Sequence, residues 1–569
     1  MSSVSPVHSL YRPRSTPITM VSTRNHSFLA KLRAYFYQGG ERKEWKSTLF
    51  SVRRLVEAAW IVVLWWGERR VFKSAIEACQ WDRWEDWVFA PWEEGCVCSL
   101  ANNRQPEGAM PHRVVLIADP QLVDPHTYPR RGPLLSATIF YTDQYMSRSY
   151  ETIQERLSPS TTVFLGDLFD GGREWTHEQS SLYAQNHHLH EDLIPITEDP
   201  RGAKDWKDYD DSYWMGEYRR FLKIFPSWPH RRTVKTLPGN HDLGMGNGIR
   251  EGVKDRFRTY FGETSGVLEA GNHTIILIDS VSLSNDNNPK IYLPARDFLD
   301  SLPDLLTTPP SSTLLPHIIE DAANPLPPPP EQSSIPQNPT ILLTHVPLYR
   351  PADTPCGPHR ESKDPILIHA GYQYQNVLQP TLSSELLQKT NAKYVFSGDD
   401  HDYCEVEHAG NIKEVTVKSF SWAMGVRRPG FYMASLYTGN ASPDAESVQG
   451  RLCLLPDQWG VFSAYTFMLL VTILAAIFDF WRRRRAALNY RGNVLPISKG
   501  FGGSGTASAY GQSNGKNSSW HHDEDGDFKY SKRKQYSTGW KAWVAYVVRE
   551  VLSVAAVVFV WYAWLIWRW

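Results

Sequence analysis

Five short apolar runs in this chain each stop at a residue that can hold a metal ion. They read VVLIADPQ, TVFLGDLFDGG, TVKTLPGNHD, ILLTHVP and YVFSGDDHD. In order, their ends supply Asp119 and Gln121, then Asp167 and Asp170, then Asn240, His241 and Asp242, then His345, then Asp399 and His401. Short runs rich in Val, Ile, Leu and Phe read as strands. In open α/β sheets ligands bind at the carboxyl ends of the strands. Five endings of this kind confine the chain to an α/β fold that gathers them into one site. Strand-like segments alternating with helix-like ones point to the same class.

The residue types fit a pair of divalent cations. Two such ions about 3.5–4 Å apart can clamp a phosphoryl group and activate water for in-line attack. Oxygen and imidazole donors suit manganese, iron or zinc. No thiolate belongs to the set, which argues against a structural zinc site. One carboxylate has to bridge the ions, and Asp167 is assigned that place. Asn240 offers an amide oxygen, and His241, oriented by Asp170, is placed as general acid. Oxygen donors at Gln121 and Asp399 shift the preference from zinc towards manganese or magnesium.

These motifs resemble the calcineurin-like metallophosphoesterases, whose pattern is D-x-H, GD-x-x-D, GNH[DE], an isolated His and GH-x-H. The resemblance spans about Val114 to Asp402. It implies an αββα sandwich of two mixed sheets. It also implies one metal on Asp119, Gln121, Asp167 and His401, and a second on Asp167, Asn240, His345 and Asp399. Gln121 and Asp399 stand where the general pattern has histidine. The segments ADPQLVDPHTYP, THVPLYRP, CGPHRES, GYQYQN and FSGDDHDYC narrow the resemblance to the membrane-bound branch. That branch holds the fungal cell-division-control phosphoesterase and the animal enzymes that remodel glycosylphosphatidylinositol (GPI) anchors, and it carries Gln and Asp at these points. The resemblance implies manganese-dependent removal of ethanolamine phosphate from a mannose of the GPI glycan, with GPI glycolipid or GPI-anchored proteins as substrate. Three alternatives stay open: another luminal phosphoester substrate, a GPI-binding cargo adaptor with a weakened site, and a cytosolic protein phosphatase.

Apolar segments set an expected topology. Trp459 to Trp481 is long enough to span a bilayer and is followed by Arg482–Arg485, a cytoplasmic marker. Residues 550–567 form a second candidate. A third, at 49–67, is shorter and interrupted by Glu57, and it serves as a membrane span or signal anchor. The expected order is a cytoplasmic tail at 1–48 and a luminal region at 68–458 with its core at 112–437. A cytoplasmic loop rich in Gly, Ser and charge follows at 482–541 and is expected to be disordered. With the resemblance, these segments imply a multi-pass protein of the endoplasmic reticulum or Golgi membrane, in contact with lipid. Many of its 22 tryptophans lie beside the apolar segments, and the net charge of −1 gives no signal for nucleic acid.

Cys79, Cys96, Cys98, Cys356, Cys404 and Cys453 fall in the expected luminal part, which permits disulfides; sequence does not choose their pairing. Asn272 and Asn440 head glycosylation sequons, with Asn272 entering an expected strand. Residues 307–339 read as a Pro-rich surface insertion, and the second half of 174–229 as a helix. Arg350 and Arg360, with His359, follow His345 on a loop where a guanidinium can grip phosphate. Asp124, His126 and Tyr128 are placed beside the site or in a turn. Asp279 ends a strand without being a ligand, and Asp400 and Asp402 are placed to orient His401.

Overall fold

The computed structural model describes residues 51–87, 110–125, 127, 132–174, 211–307, 338–371, 373–438, 446–492, 518–522, 528–532 and 539–567. They belong to two units, one of residues 62–467 with 562–569, the other of 1–61 with 468–561.

The larger unit contains strands β1 (His112–Ile117), β2 (Thr161–Phe164), β3 (Arg232–Val234), β4 (Gly266–Ala270), β5 (His273–Ile278) and β6 (Thr340–Thr344). After the short pair β7 (Ala370–Gly371) and β8 (Tyr374–Gln375) come β9 (Tyr394–Ser397), β10 (Cys404–His408), β11 (Ile412–Thr416), β12 (Gly430–Leu436) and β13 (Val448–Leu454). Successive side chains of a strand face opposite ways, and here both faces are apolar. Val114, Leu116, Val163, Ile275, Leu277, Ile341, Leu343 and Phe396 form one buried cluster. Their neighbours Val115, Ile117, Phe164, Ile276, Ile278, Leu342 and Val395 belong to another, shared with helices. A strand buried on both faces must be covered on both, so two sheets pack together with helices outside. The sheet orders are β13-β12-β1-β2-β3 and β10-β11-β9-β6-β5-β4. The central pairs β1–β2, β2–β3, β5–β6, β6–β9 and β9–β11 are parallel, and antiparallel strands close the edges. This is the mixed two-sheet αββα architecture expected from the sequence.

In chain order the helices are α1 (Val52–Trp65), α2 (Val71–Glu77), α3 (Pro133–Arg156), α4 (Asp211–Ile224), α5 (Asn240–Leu243) and α6 (Glu251–Phe261). They continue with α7 (Ser280–Leu283), α8 (Pro289–Thr307), α9 (Pro380–Thr390), α10 (Gln458–Gly492) and α11 (Trp540–Trp567). Helix α4 is the one expected in the second half of 174–229. Its Phe221 meets Phe164 of β2 at 5.5 Å, and Tyr150 of α3 lies 6.3 Å from the same ring.

The core is larger than 112–437. Strand β13 pairs with β12 from Val448 to Leu454, so the first sheet ends beyond the expected boundary. At the other end, Cys79 just after α2 is disulfide-bonded to Cys453, and Trp81 and Trp87 are buried. The second disulfide joins Cys356 to Cys404. Cys96, Cys98, His126, Tyr128, Asn440 and most of the Pro-rich insertion lie outside the described residues. Asn272 does not enter a strand. It is exposed in the turn between β4 and β5 with φ 58°, a left-handed conformation that asparagine tolerates.

In the smaller unit, Trp60 Nε1 donates to Thr472 Oγ1 at 2.8 Å, and Tyr546 Oη to Asp479 at 2.6 Å. Among the described residues two helices are long and apolar enough to cross a membrane, Gln458–Ala486 and Trp540–Trp567. Leu470, Leu474 and Phe478 on the first and Leu552, Phe559 and Val560 on the second are exposed. The first continues past Trp481 to Gly492, and the second begins at Trp540 rather than 550. The segment at 49–67 is not among these two: its α-helical part has 14 residues, and Glu57 is buried between Arg53 and Arg54, each at 2.8 Å. The loop at 482–541, expected to be disordered, contains a two-stranded antiparallel pair, β14 (Ser518–His522) and β15 (Phe528–Lys532). Its register runs from Ser518 opposite Lys532 to His522 opposite Phe528.

Candidate metal centre

The chain turns sharply as it leaves β1, β2 and β9. Asp119, Gln121, Asp167, Asp399 and His401 all have positive φ, at 47°, 29°, 51°, 68° and 65°. For residues other than glycine this conformation costs on the order of 1–3 kcal/mol and concentrates at functional sites. The glycines beside them are needed for close approach. A Cβ on Gly239 would collide with the Asp167 carboxylate, and one on Gly166 would lie 2.6 Å from His345 Nδ1. The G of GD and of GN is therefore a packing requirement.

These turns bring the expected ligands together. Asp119, Asp167 and His345 each offer an atom within 4.8 Å of the others. His345 Nε2 lies 3.3 Å from Asp167, 3.6 Å from Asp399 and 3.2 Å from Asn240 Oδ1. Gln121 Nε2 donates to Asp167 at 2.9 Å, and the Asp399 amide to Asp119 at 3.1 Å. Both histidines point Nε2 inward because Nδ1 is engaged: that of His345 by the Leu165 carbonyl at 2.7 Å, that of His401 by the Met424 carbonyl at 3.1 Å. Asn240 Nδ2 donates to the Gln373 carbonyl at 2.9 Å, which leaves its oxygen facing His345.

His241 and Asp170 meet as expected. His241 Nδ1 lies 3.1 Å from the Asp170 carboxylate and 2.9 Å from its carbonyl, and the His241 amide donates to Asp167 at 2.8 Å. Burial and the Arg173 guanidinium lower the His241 pKa, but the Asp167 and Asp170 carboxylates outweigh them and hold it at about 9. Burial raises the Asp119 pKa well above the usual carboxylate range. Burial acts on Asp167 too, but the His345 and His241 imidazoles hold it low. Asp242, pushed up to about 7 by burial and by Asp167, accepts from the amides of Leu168, Phe169 and Gly239 and joins two motif loops.

The donor set fits divalent cations. Asp119, Asp167, Asp170 and Asp242 are all buried, and buried charge is costly unless compensated. Asp119 Oδ2 and Gln121 Oε1 are buried acceptors with no hydrogen-bond partner. Such oxygens are rare in native proteins, and a bound cation satisfies both them and the surplus negative charge.

Other expected contacts are overturned. Arg350 is 2% exposed and pairs with buried Glu414 at 2.8 Å, so it supports the second sheet and does not reach a phosphate. Arg360 pairs with Asp400 and donates to the Asp364 carbonyl at 2.8 Å. Asp400 is thus spent on Arg360, and Asp402 on Lys418 and the amides of Glu361 and Ser362. They anchor the 356–364 loop rather than orient His401. His359 rests edge-on against Tyr403. Asp124 makes a turn with Thr127. Asp279 caps α7 and lies 3.6 Å from Lys254, which agrees with its exclusion from the ligands.

Sequence reasoning missed Gln373 and Arg173. Gln373, at φ 61°, orients Asn240 and binds Met245 and Gly248 through its side chain. Arg173 donates to the Asn240 carbonyl at 3.0 Å. Gln373 lies in the GYQYQN segment noted above and Arg173 directly follows TVFLGDLFDGG, but nothing in either stretch assigns these residues a role.

Comparison with known proteins agrees with the geometry. Residues 112–403 match the calcineurin-like phosphoesterase family. Cell division control protein 1 of Saccharomyces cerevisiae is 37% identical over 439 residues, 73% of this chain and 72% of that protein. Metallophosphoesterase 1 of Gallus gallus is 27% identical over 59% of this chain and 71% of its own length. A dimetal phosphatase from Danio rerio aligns over 61% of this chain and all of its own at 13% identity and a TM-score of 0.29, a likeness too slight to bear on the fold. On the family match and the yeast relative, this chain belongs to the calcineurin-like phosphoesterases and is a metal-dependent phosphoester hydrolase.

Proposed function

We propose that the chain removes ethanolamine phosphate from a mannose of the GPI glycan by phosphodiester hydrolysis, in the lumen of the endoplasmic reticulum or Golgi. The observation that carries the phosphoesterase part is the buried anionic donor set with two orphaned oxygens. The substrate follows from the membrane-branch motifs and agrees with two helices able to hold the enzyme in the plane of a lipid-anchored substrate, which raises its effective concentration.

Asp119, Gln121, Asp167 and His401 would hold one cation, and Asp167, Asn240, His345 and Asp399 the other; the oxygen-rich set would favour manganese. When bound, the cations polarise the phosphoryl group and acidify the attacking water. The chain's own residues do the rest. The His241 and Gln121 contacts fix Asp167 between the two ligand groups. His241, with Nδ1 held by Asp170, is placed to deliver a proton from Nε2 to the leaving oxygen.

The test is release of ethanolamine phosphate from defined GPI glycans by purified protein, with manganese and with chelator. Metal-dependent release that is lost in Asp167→Asn supports the reading. Protein that holds two metals yet releases nothing sends the search to another luminal phosphoester.

A further inference from the structure

The metal centre has an aromatic rim. Residues 419–426 touch the ligands: Ser419 Oγ donates to the Asp119 carbonyl at 2.8 Å, and the Met424 carbonyl holds His401 at 3.1 Å. The same segment carries Trp422, whose ring meets Trp459 at 5.8 Å and Phe462 at 5.9 Å. Phe462 meets Tyr141 at 5.4 Å, and Tyr141 meets Phe140 at 5.4 Å. Beneath the strip, Val123 from the loop after the first motif packs with Leu135 and Met424. Its outer members are open to solvent: Leu134 is 57% exposed, Phe140 40% and Trp459 57%.

Trp459 and Phe462 also belong to the first turns of α10, a candidate span that begins at Gln458. The end turns of a span lie where headgroups meet water, the level at which tryptophan concentrates. Trp422, in ring contact with both, lies at that level too, and the His401 carbonyl contact is on the same short segment. Two exposed cations, Arg427 and Arg428, flank it. Arg427 Nε pairs with Asp457 at the start of α10 at 2.8 Å.

We infer that the strip through Leu134, Phe140, Trp422 and Trp459 docks on the headgroup layer of the bilayer that α10 crosses. Docking there presents the metal centre to phosphoesters held at the membrane surface. This rests on the lipid-linked phosphodiester substrate proposed above and adds the surface that brings it to the metal centre. Apolar side chains dipping into the headgroup boundary supply the attraction.

The test uses the full chain in proteoliposomes and the double variant Leu134→Ser/Phe140→Ser, neither residue being a ligand or acid. Two substrates are compared, a lipid-linked phosphodiester in the same vesicles and water-soluble bis(4-nitrophenyl) phosphate. The expected result is a roughly tenfold slower rate on the lipid-linked substrate with the soluble rate unchanged. Equal rates for variant and parent on both substrates, or an equal fall on both, would overturn the docking role. A photo-crosslinking benzoylphenylalanine in place of Phe140 reads docking without turnover: crosslinks to phospholipid support it, and their absence refutes it. If parent protein hydrolyses neither substrate while crosslinking to lipid, the phosphoesterase reading fails and the docking surface stands.

Discussion

Histidines occupy both ends of the sandwich strands, and their surroundings treat them in opposite ways. At the amino ends, His112 begins β1 and His273 begins β5. His112 Nε2 meets Thr161 Oγ1 at 2.9 Å, and His273 Nδ1 donates to the Gly271 carbonyl at 2.8 Å. Burial, with Arg232 and His273 nearby, lowers the His112 pKa to about 4, and burial lowers that of His273. At the carboxyl ends, His345 is equally buried, yet the Asp167 carboxylate and its companions drive its pKa up. One end holds imidazoles whose pKa burial lowers, away from any cluster of carboxylates. The other keeps imidazole among surplus carboxylates, strained turns and orphaned oxygens. Residue type alone does not mark a ligand; the strand end it follows does.

The largest effect should come from the middle of the crowded end. Asp167→Asn keeps the shape and removes the charge that the two proposed ligand groups would share. Turnover should fall by more than about a hundredfold, since even outer partners of metal ligands typically cost about 10–100-fold. The protein should stay folded and membrane-bound. Rates within a few-fold of the parent would remove Asp167 from its bridging place.

That contrast also explains what the sequence made legible. The candidate ligands stood out because each strand run ended in one, and the motif glycines Gly166 and Gly239 let them approach one another. The two sheets were reached through the family resemblance, and the doubly buried strands supply their physical reason. Arg350 and Arg360 were misjudged because their partners, Glu414 and Asp400, become neighbours only in the fold. A cation on a loop after a ligand looks the same in sequence whether it faces substrate or a buried carboxylate. The disulfides were equally hidden, since Cys79 and Cys453 stand 374 residues apart and meet only because α2 lies against β13.

Arg350 gives the next largest test. Arg350→Met leaves Glu414 buried without its guanidinium, although His408, Ser397 and the Leu348 amide still bond to it. Breaking a buried pair in this way typically costs about 3–5 kcal/mol. Thermal unfolding should shift down markedly, while the KM of protein that remains folded is unchanged. A raised KM at unchanged stability would return Arg350 to the substrate.

A pH series probes the quiet end. His112 has a folded pKa of about 4 against about 6.5 in an unfolded chain. Between those values the unfolded state binds more protons, so this contribution is complete above about pH 6.5 and is lost as the pH falls towards 4. Its ceiling is about 3 kcal/mol. Unfolding measured from pH 7.5 to 4 should be less pH-dependent in His112→Gln than in the parent. Identical slopes would mean that His112 already carries its proton in the folded protein.

The smallest effect belongs to Gln373, which bears on the proposed cation site through its contact with Asn240. Its carbonyl holds the Asn240 amide at 2.9 Å, and its side chain bonds to the Met245 amide at 2.7 Å. Gln373→Ala keeps the carbonyl but frees the turn that aims it, so Asn240 loses its fixed orientation rather than its ligand atom. Metal affinity should weaken by about tenfold, at the low end for an outer partner, and excess manganese should restore turnover. Isothermal titration separates this from damage to the reacting groups: weaker binding at one of two sites, with normal kcat at saturation, is the expected pattern. A lowered kcat that manganese cannot restore would instead place Gln373 against the substrate, on the same side of the comparison as His241.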